Sequence, residues 1–261
     1  MTVLSQEELD HYRRDGYLIR RQQIASTDLM RINEALDVAE IDLIEESQRF
    51  GRSYTLGDRP FMDLDHRTLQ FEFECRATSS KPQLRVVEPI SDYVPAIAEL
   101  VRHPTLVSAV ASILKCDALS LWTDKLNFKV GYGGGFDWHQ DAPYWMHDAD
   151  DVQNMPNVMV ALDDAPLESG CLRGIRGSHL LGALPGKQDG SALAGFYTDP
   201  QCFDLASAVH FEMCAGDALF FDPFLIHGSD QNHTANRRRA LIVTYQPAHR
   251  QTLKSKAVVN I

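Results

Sequence analysis

The sequence predicts a mainly β domain of the antiparallel sandwich or jelly-roll class, with helices gathered in its N-terminal third. Two textures support this. Up to about residue 117, apolar residues recur with helical period. From about residue 118, short apolar or alternating runs are separated by Gly, Pro, Asn and Asp. The length of 261 residues and the 44% apolar content suffice for one sizeable core. With no repeat and no clean boundary, residues 1–261 read as one domain: helical support mainly over 1–117 and a β core over about 118–250.

The elements follow in order. Ser5 and Glu8 have capping-box spacing ahead of a short helix that Gly16 ends. "GYLIRR" reads as a strand. Leu29, Ile32, Leu36, Ala39 and Leu43 make one apolar face, so a long amphipathic helix is expected over roughly 27–47. Residues 51–82, with "RSYTLGDRPFMDLDHRT" and "TSSKP", read as irregular: a loop over a pocket, or a plain surface connection. Pro104 suits a first helical position, and Leu106, Val107, Val110, Ile113 and Leu114 supply the next apolar face. Then come "ALSLWTDKLNFKV", "NVMVALDDA", "GCLRGIRGSH", "DALFFDPFLIH" and "RALIVTYQP" as strands. Residues 181–212 form a glycine-containing insertion, either a lid or a mobile surface loop.

A net charge of −11 disfavours nucleic acid or an anionic membrane as main partner, and offers no broad basic surface for an acyl-CoA. The opening segment is too polar for a signal peptide, and no apolar run approaches a membrane span. Five scattered cysteines with no C-x-x-C pair argue against disulfides or a thiolate zinc site, and a reducing cytoplasm is the expected setting.

"GGGFDWHQDAPYW", Gly133 to Trp145, carries the chemistry. A histidine and a carboxylate two apart on a strand point to one side, so His139 and Asp141 can reach one ion. The spacing alone is cheap. With 10 histidines and 36 acidic residues about one such pair arises by chance, and His210 and Glu212 form another. Context favours the first. Open-site iron in non-haem oxygenases takes two histidines and one carboxylate. His227 ends the apolar run "ALFFDPFLIH" and supplies the missing ligand. A turn-rich segment follows, then "RRRALIVTY"; a hairpin is expected, bringing an arginine back to the metal end to bind a carboxylate.

"WHQDAPYW", "VALDDAPLESGCLRGIRGSH" and "HGSDQNHTANRRRALIVTY", in this order behind a helical N-terminal third, resemble the phytanoyl-CoA dioxygenase family of Fe(II)/2-oxoglutarate-dependent oxygenases. The resemblance spans about residues 5–248. It implies a double-stranded β-helix (cupin-like) core and, as cofactors, Fe(II), 2-oxoglutarate and O2. It also implies metal ligands His139, Asp141 and His227. The family's 2-oxoglutarate arginine lies eleven residues after the distal histidine, at Arg238, and Ser229 shares the same carboxylate. Alternation alone puts Arg237 and Arg239 on the other face; only the family spacing selects the middle one. Lys125, Asn127 and Lys129 alternate on the preceding strand, and Asn127 and Lys125 are the expected polar contacts to 2-oxoglutarate.

Two positions depart from the family pattern. Met159 stands where a tryptophan is frequent, which reshapes the pocket, and Ser169 stands before Gly170 where asparagine is frequent. The intact Asp141 speaks against the related halogenases. Tyr144 and Trp145 are expected at the substrate, with Met159 and Phe136 as further borders; packing within the sandwich is the alternative. Gly133–Gly135 read as a flexible hairpin tip, His179 as a structural hydrogen-bonding residue, and His210 and Glu212 as surface residues. His66 is either exposed or a substrate contact.

The expected reaction is oxidation, by default hydroxylation, of an unactivated C–H bond in a small molecule, with release of succinate and CO2. A natural-product or amino-acid-derived intermediate is preferred over the acyl-CoA alternative. A zinc-dependent hydrolase or isomerase on a cupin-like barrel, or a non-catalytic metal-binding module, are the rival classes.

Overall fold

The computed structural model describes residues 3–57, 59–72, 82–191 and 193–261. Cys75 and most of "TSSKP" lie outside them. The chain opens with helix α1 (Gln6–Asp15). The Ser5 side chain accepts from the Glu8 backbone, and Glu8 reaches back to the Ser5 N–H, as the capping box requires. Gly16, at φ 82°, ends the helix and leads into strand β1 (Tyr17–Arg20). Helix α2 (Ser26–Phe50) buries Leu29, Ile32, Leu36, Ala39 and Leu43, the face the periodicity predicts, and runs a turn beyond the expected end. Helices α3 (Pro95–Val101) and α4 (Pro104–Leu114) both start on a proline. No single described helix is long and apolar enough to cross a membrane.

The segment from residue 51 is not irregular. It forms an antiparallel meander of β2 (Arg52–Leu56), β3 (Arg59–Leu64) and β4 (Arg67–Phe71), continued by β5 (Leu84–Glu88). Its apolar residues alternate too weakly to announce strands, because this end of the sheet is half-exposed. The later strands are β6 (Leu119–Asn127), β7 (Phe136–His139), β8 (Asn157–Ala161) and β9 (Leu172–Ile175). They are followed by β10 (Ala208–Phe211), β11 (Ala218–Phe221), β12 (His227–Ser229) and β13 (Ala240–Pro247). A short helix α5 (Ala142–Trp145) follows β7.

Two antiparallel sheets result. The larger has nine strands in the order β1-β11-β8-β13-β6-β5-β4-β3-β2, and the smaller has four, β10-β9-β12-β7. The central strands of the larger sheet are buried on both faces. Val158, Val160, Phe220, Leu241 and Val243 join the core with Leu36, Leu43, Ile97 and Val110 of the helices. Met159, Ala161, Leu219, Phe221, Ala240 and Ile242, at alternate positions, pack with Leu172 and Phe211 of the smaller sheet. The mainly β jelly-roll expectation holds.

One topological expectation fails. β12 and β13 are not a hairpin: β12 pairs with β7 and β9, whereas β13 pairs with β6 and β8. Residues 230–239 therefore cross from one sheet to the other. Strand, turn residues and strand in sequence look alike in both cases, so local pattern could not separate them.

Candidate active site

His139 ends β7, and His227 starts β12 directly opposite it in the sheet register. Asp141 is not on the strand. It follows Gln140 at the N-terminal boundary of α5, in helical backbone and with no side-chain capping bond, so period-2 alternation does not explain how it meets His139. The chain turns at this point because Pro143 favours a helical first turn and the Ala142 N–H donates to the Pro223 carbonyl at 2.9 Å.

The three side chains nevertheless converge, with one ligand atom from each within 4.8 Å of the others. His139 Nε2 lies 4.0 Å from Asp141 Oδ1, and His227 Nε2 lies 3.8 Å from Asp141 Oδ2. His139 Nδ1 bonds the Asp137 carbonyl at 2.7 Å and His227 Nδ1 the Leu225 carbonyl at 2.9 Å. A carbonyl only accepts, so both Nδ1 atoms carry hydrogen and both Nε2 lone pairs are presented to one point. Burial, then the neighbouring His227, holds the His139 imidazole down to about 3; burial likewise lowers His227. Burial opposes ionisation of Asp141, but Lys125 and the two imidazoles outweigh it and keep the carboxyl below its usual range. Two neutral imidazoles and a carboxylate are the donor set a divalent metal needs.

A second layer fixes the carboxylate. Asn157, fully buried on β8, donates from Nδ2 to Asp141 Oδ2 at 2.9 Å and accepts from Thr244 Oγ1 at 2.6 Å. Neither residue was expected from the sequence; a buried asparagine amid an apolar strand was the available signal.

The cavity beside this set measures about 300 Å³. Asn127, Lys125, Phe136, Tyr144, Met159, Ser229 and Arg238 line it, as expected. Cross-strand register explains the grouping. Lys125, Ile242 and Met159 are successive partners across β6, β13 and β8 and share one face. Lys125 Nζ stands 3.7 Å from Asp141 Oδ1; burial would discharge it, but Asp141 and Glu88 raise its pKa overall.

Trp145 is a correction. It is 2% exposed and packs with Trp122, Val152 and Met155 behind the cavity. The turn of α5 sends Tyr144 inward and Trp145 to this satellite core. Gly133–Gly135 are also not a flexible tip. Arg85 donates to the Gly134 carbonyl at 3.0 Å and to that of Gly135, and lies 4.1 Å over the Phe136 ring. A Cβ on Gly135 would come within 2.3 Å of the Ser229 carbonyl, so only glycine allows this approach. Both doubtful segments reach the cavity: Gln70 of β4 lines it, and so does Phe196 of the 181–212 insertion. Phe196 stacks on Tyr144, whose hydroxyl donates to the Phe196 carbonyl.

The arginine triplet divides as alternation predicts. Arg237 pairs with Asp37 and Glu40 of α2, and Arg239 with Asp37 and Asp163. Arg238 alone turns to the cavity, 3% exposed. Its Nη2 donates to the Gly170 carbonyl at 2.6 Å, and among the described residues its buried Nε has no partner and no carboxylate pairs with it. Burial lowers its pKa only to about 10, so it stays charged. An unmatched buried guanidinium beside a metal-type donor set fits a carboxylate-bearing cosubstrate. Lys129 stands behind it, with Nζ 2.8 Å from both Ser229 Oγ and the Gly170 carbonyl.

The other histidines weighed from the sequence lie outside this cavity. His179 Nε2 bonds the Arg13 carbonyl at 3.0 Å, and His210 is exposed on β10. His66 pairs with Asp65 and Asp92 and does not line the cavity. Glu212, exposed, accepts from the Leu167 N–H.

Residues 12–240 match the phytanoyl-CoA dioxygenase (PhyH) family. The chain belongs to that family. As a PhyH member it is an Fe(II)/2-oxoglutarate-dependent dioxygenase, which sets aside the zinc-hydrolase and binding-module readings. Relatives of this PhyH chain include L-proline trans-4-hydroxylase of Streptomyces griseoviridis, 28% identical over 240 residues, covering 79% of this chain and 89% of that one. Methylphosphonate hydroxylase of Gimesia maris is 26% identical over 244 residues, covering 94% and 81%. Among solved structures, EctD from S. alaskensis with 2-oxoglutarate and 5-hydroxyectoine superposes with a TM-score of 0.67 at 20% identity, covering 94% of this chain and 77% of that one. EvdO2 from Micromonospora carbonacea var. aurantiaca, complexed with 2-oxoglutarate, gives 0.65 at 23%, covering 95% and 92%. These two share the fold.

Proposed function

We propose that this enzyme hydroxylates an unactivated C–H bond of a small organic molecule that is not a CoA ester. Substrate, O2 and 2-oxoglutarate give the alcohol, succinate and CO2, which balances. One observation carries the reading: His139, Asp141 and His227 open onto the same cavity as the carboxylate-free guanidinium of Arg238.

His139, Asp141 and His227 would hold Fe(II), which when bound activates O2 for C–H cleavage. Asn157 keeps Asp141 turned to the metal position. Arg238 and Ser229 would hold the far carboxylate of 2-oxoglutarate, with Asn127 as a further polar contact. Lys125 steadies the Asp141 charge and would be a further polar contact for the cosubstrate. Met159, Ile242 and Leu172 exclude water, while Phe136, Tyr144 and Phe196 border the substrate. Relatives named for proline and methylphosphonate support a small substrate. The cavity supports it too: its cations are Lys125 and Arg238, both committed, which leaves none for the phosphates of a CoA. The four described cysteines are free, which suits a reducing cytoplasm.

An anaerobic titration of the apo-enzyme with Fe(II) and 2-oxoglutarate tests the site. A weak visible band from the keto acid chelating iron is expected, lost in His227→Ala and weakened in Arg238→Ala. Folded wild-type protein that gives no band overturns the residue assignment.

A further inference from the structure

Two polar groups of the cavity take no part in holding metal or cosubstrate. Gln70 on β4 is 8% exposed, lines the cavity, and has a buried Nε2 with no hydrogen-bond partner among the described residues. Buried donors are rarely left unmet unless a ligand or water completes them. Glu88 on β5 lines the same cavity. Its Oε1 accepts from Thr123 Oγ1 at 2.7 Å, and no cation among the described residues lies within ion-pair distance of it.

Their spacing follows from the sheet. Gln70 is opposite Val86, and Glu88 is two residues further along β5. Such diagonal neighbours stand about 7–8 Å apart on one face. That distance suits two polar groups of one small molecule, a donor site at Gln70 and an anionic acceptor at Glu88. Charge narrows the class. Lys125 and Arg238 are matched in number by Asp141 and Glu88 around the cavity. A ferrous ion and the 2-oxoglutarate dianion also cancel. A substrate without net charge preserves this balance, and an anion would add an unmatched charge to a half-closed site.

We infer that Gln70 and Glu88 form the substrate-recognition subsite, and that the substrate is a small zwitterion of amino-acid type. Its ammonium meets Glu88 and an acceptor oxygen meets Gln70 Nε2. The inference rests on the oxygenase reading above. Val86 and Phe136 then face the carbon skeleton.

The test is isothermal titration, without O2, of enzyme loaded with Fe(II) and 2-oxoglutarate. The probes are the proteinogenic L-amino acids, each beside its decarboxylated amine and its deaminated acid, at up to millimolar concentration. At least one amino acid should bind more tightly than both of its partners. Glu88→Gln should weaken that binding by roughly ten- to a hundredfold, the loss of one charge-assisted hydrogen bond. Gln70→Leu should also weaken it, and should raise the melting temperature of unliganded enzyme by removing an unmet donor. The subsite is refuted if no amino acid binds, if a deaminated acid binds as well as its parent, or if Glu88→Gln leaves the affinity unchanged. The wild-type visible band separates the two failures. Without it the oxygenase site itself is wrong; with it, only the subsite is.

Discussion

Replacing Asn157 by leucine tests how far the metal site depends on a residue that never touches the metal. The side chains are similar in volume, so packing on β8 is retained. What disappears is one hydrogen bond from Asn157 Nδ2 to Asp141 Oδ2, and with it the acceptor of Thr244 Oγ1. A bond to a buried charged group contributes about 1.5–3 kcal/mol. If that bond acts only when Asp141 is turned toward the metal, the loss appears as about ten- to a hundredfold weaker Fe(II) binding, the range known for outer-layer partners of metal ligands. Thr244→Val removes only the outer, neutral bond and should cost about 0.5–1.5 kcal/mol. Competition with a chelator, in anaerobic buffer, measures both. Thermal melts establish that the variants are folded. An Asn157→Leu enzyme that is folded and binds Fe(II) within twofold of wild type would refute the reasoning, since Asp141 would then be oriented by its backbone alone.

Arg238→Met should weaken 2-oxoglutarate binding at least a hundredfold, through two lost charge-assisted bonds, while Fe(II) affinity measured without cosubstrate is retained. Lys129 should take up a proton when 2-oxoglutarate binds. Burial, then the charges of Arg238 and Arg85, lowers its pKa to about 6, with Asp230 and Cys171 opposing, so at pH 7 to 8 the amine is mostly neutral. A dianion nearby raises that pKa, so affinity should fall as pH rises above about 6. Calorimetry in buffers of different ionisation enthalpy reads the uptake, and Lys129→Met should abolish it. Tyr144→Ala removes both the stacking and the bond to Phe196, so limited proteolysis within residues 181–212 should accelerate. Leu36→Ala, at a fully buried position of α2, should cost about 2–5 kcal/mol and lower the melting temperature by several degrees, with metal affinity unchanged.

The grouping of His139, Asp141, His227 and Arg238 about one cavity was legible because the family motifs fix these positions at set spacings, and alternation separated Arg238 from its neighbours once the spacing had chosen it. The α2 face was legible because a buried helix stripe repeats over many turns. The meander at residues 52–71 was not, because half-exposed strands carry mixed residues on both faces. Trp145 packs away from the cavity because the backbone turns helical after His139, where strand alternation no longer applies. Asn157 offered only a polar residue at the head of an apolar run, and Gln70 and Glu88 gave no local sign of the roles proposed for them. Their significance is a matter of which strands neighbour one another, and the non-hairpin path between β12 and β13 shows that such neighbourhood is decided by the whole sheet.

That path has a mechanical consequence. His227 belongs to the smaller sheet, and Arg238 stands just ahead of a strand in the larger one. A 2-oxoglutarate molecule chelating at one end and clasped by Arg238 at the other would tie the two layers together like a cross-brace. Loading would then slow amide exchange in β12 and β13 alike, including backbone far from any atom of the ligand. The same brace would couple the helical flank to the cosubstrate, since Arg237 and Arg239 anchor α2 on either side of the clasping residue. A charge change as remote as Asp37 could thus loosen the grip without entering the cavity.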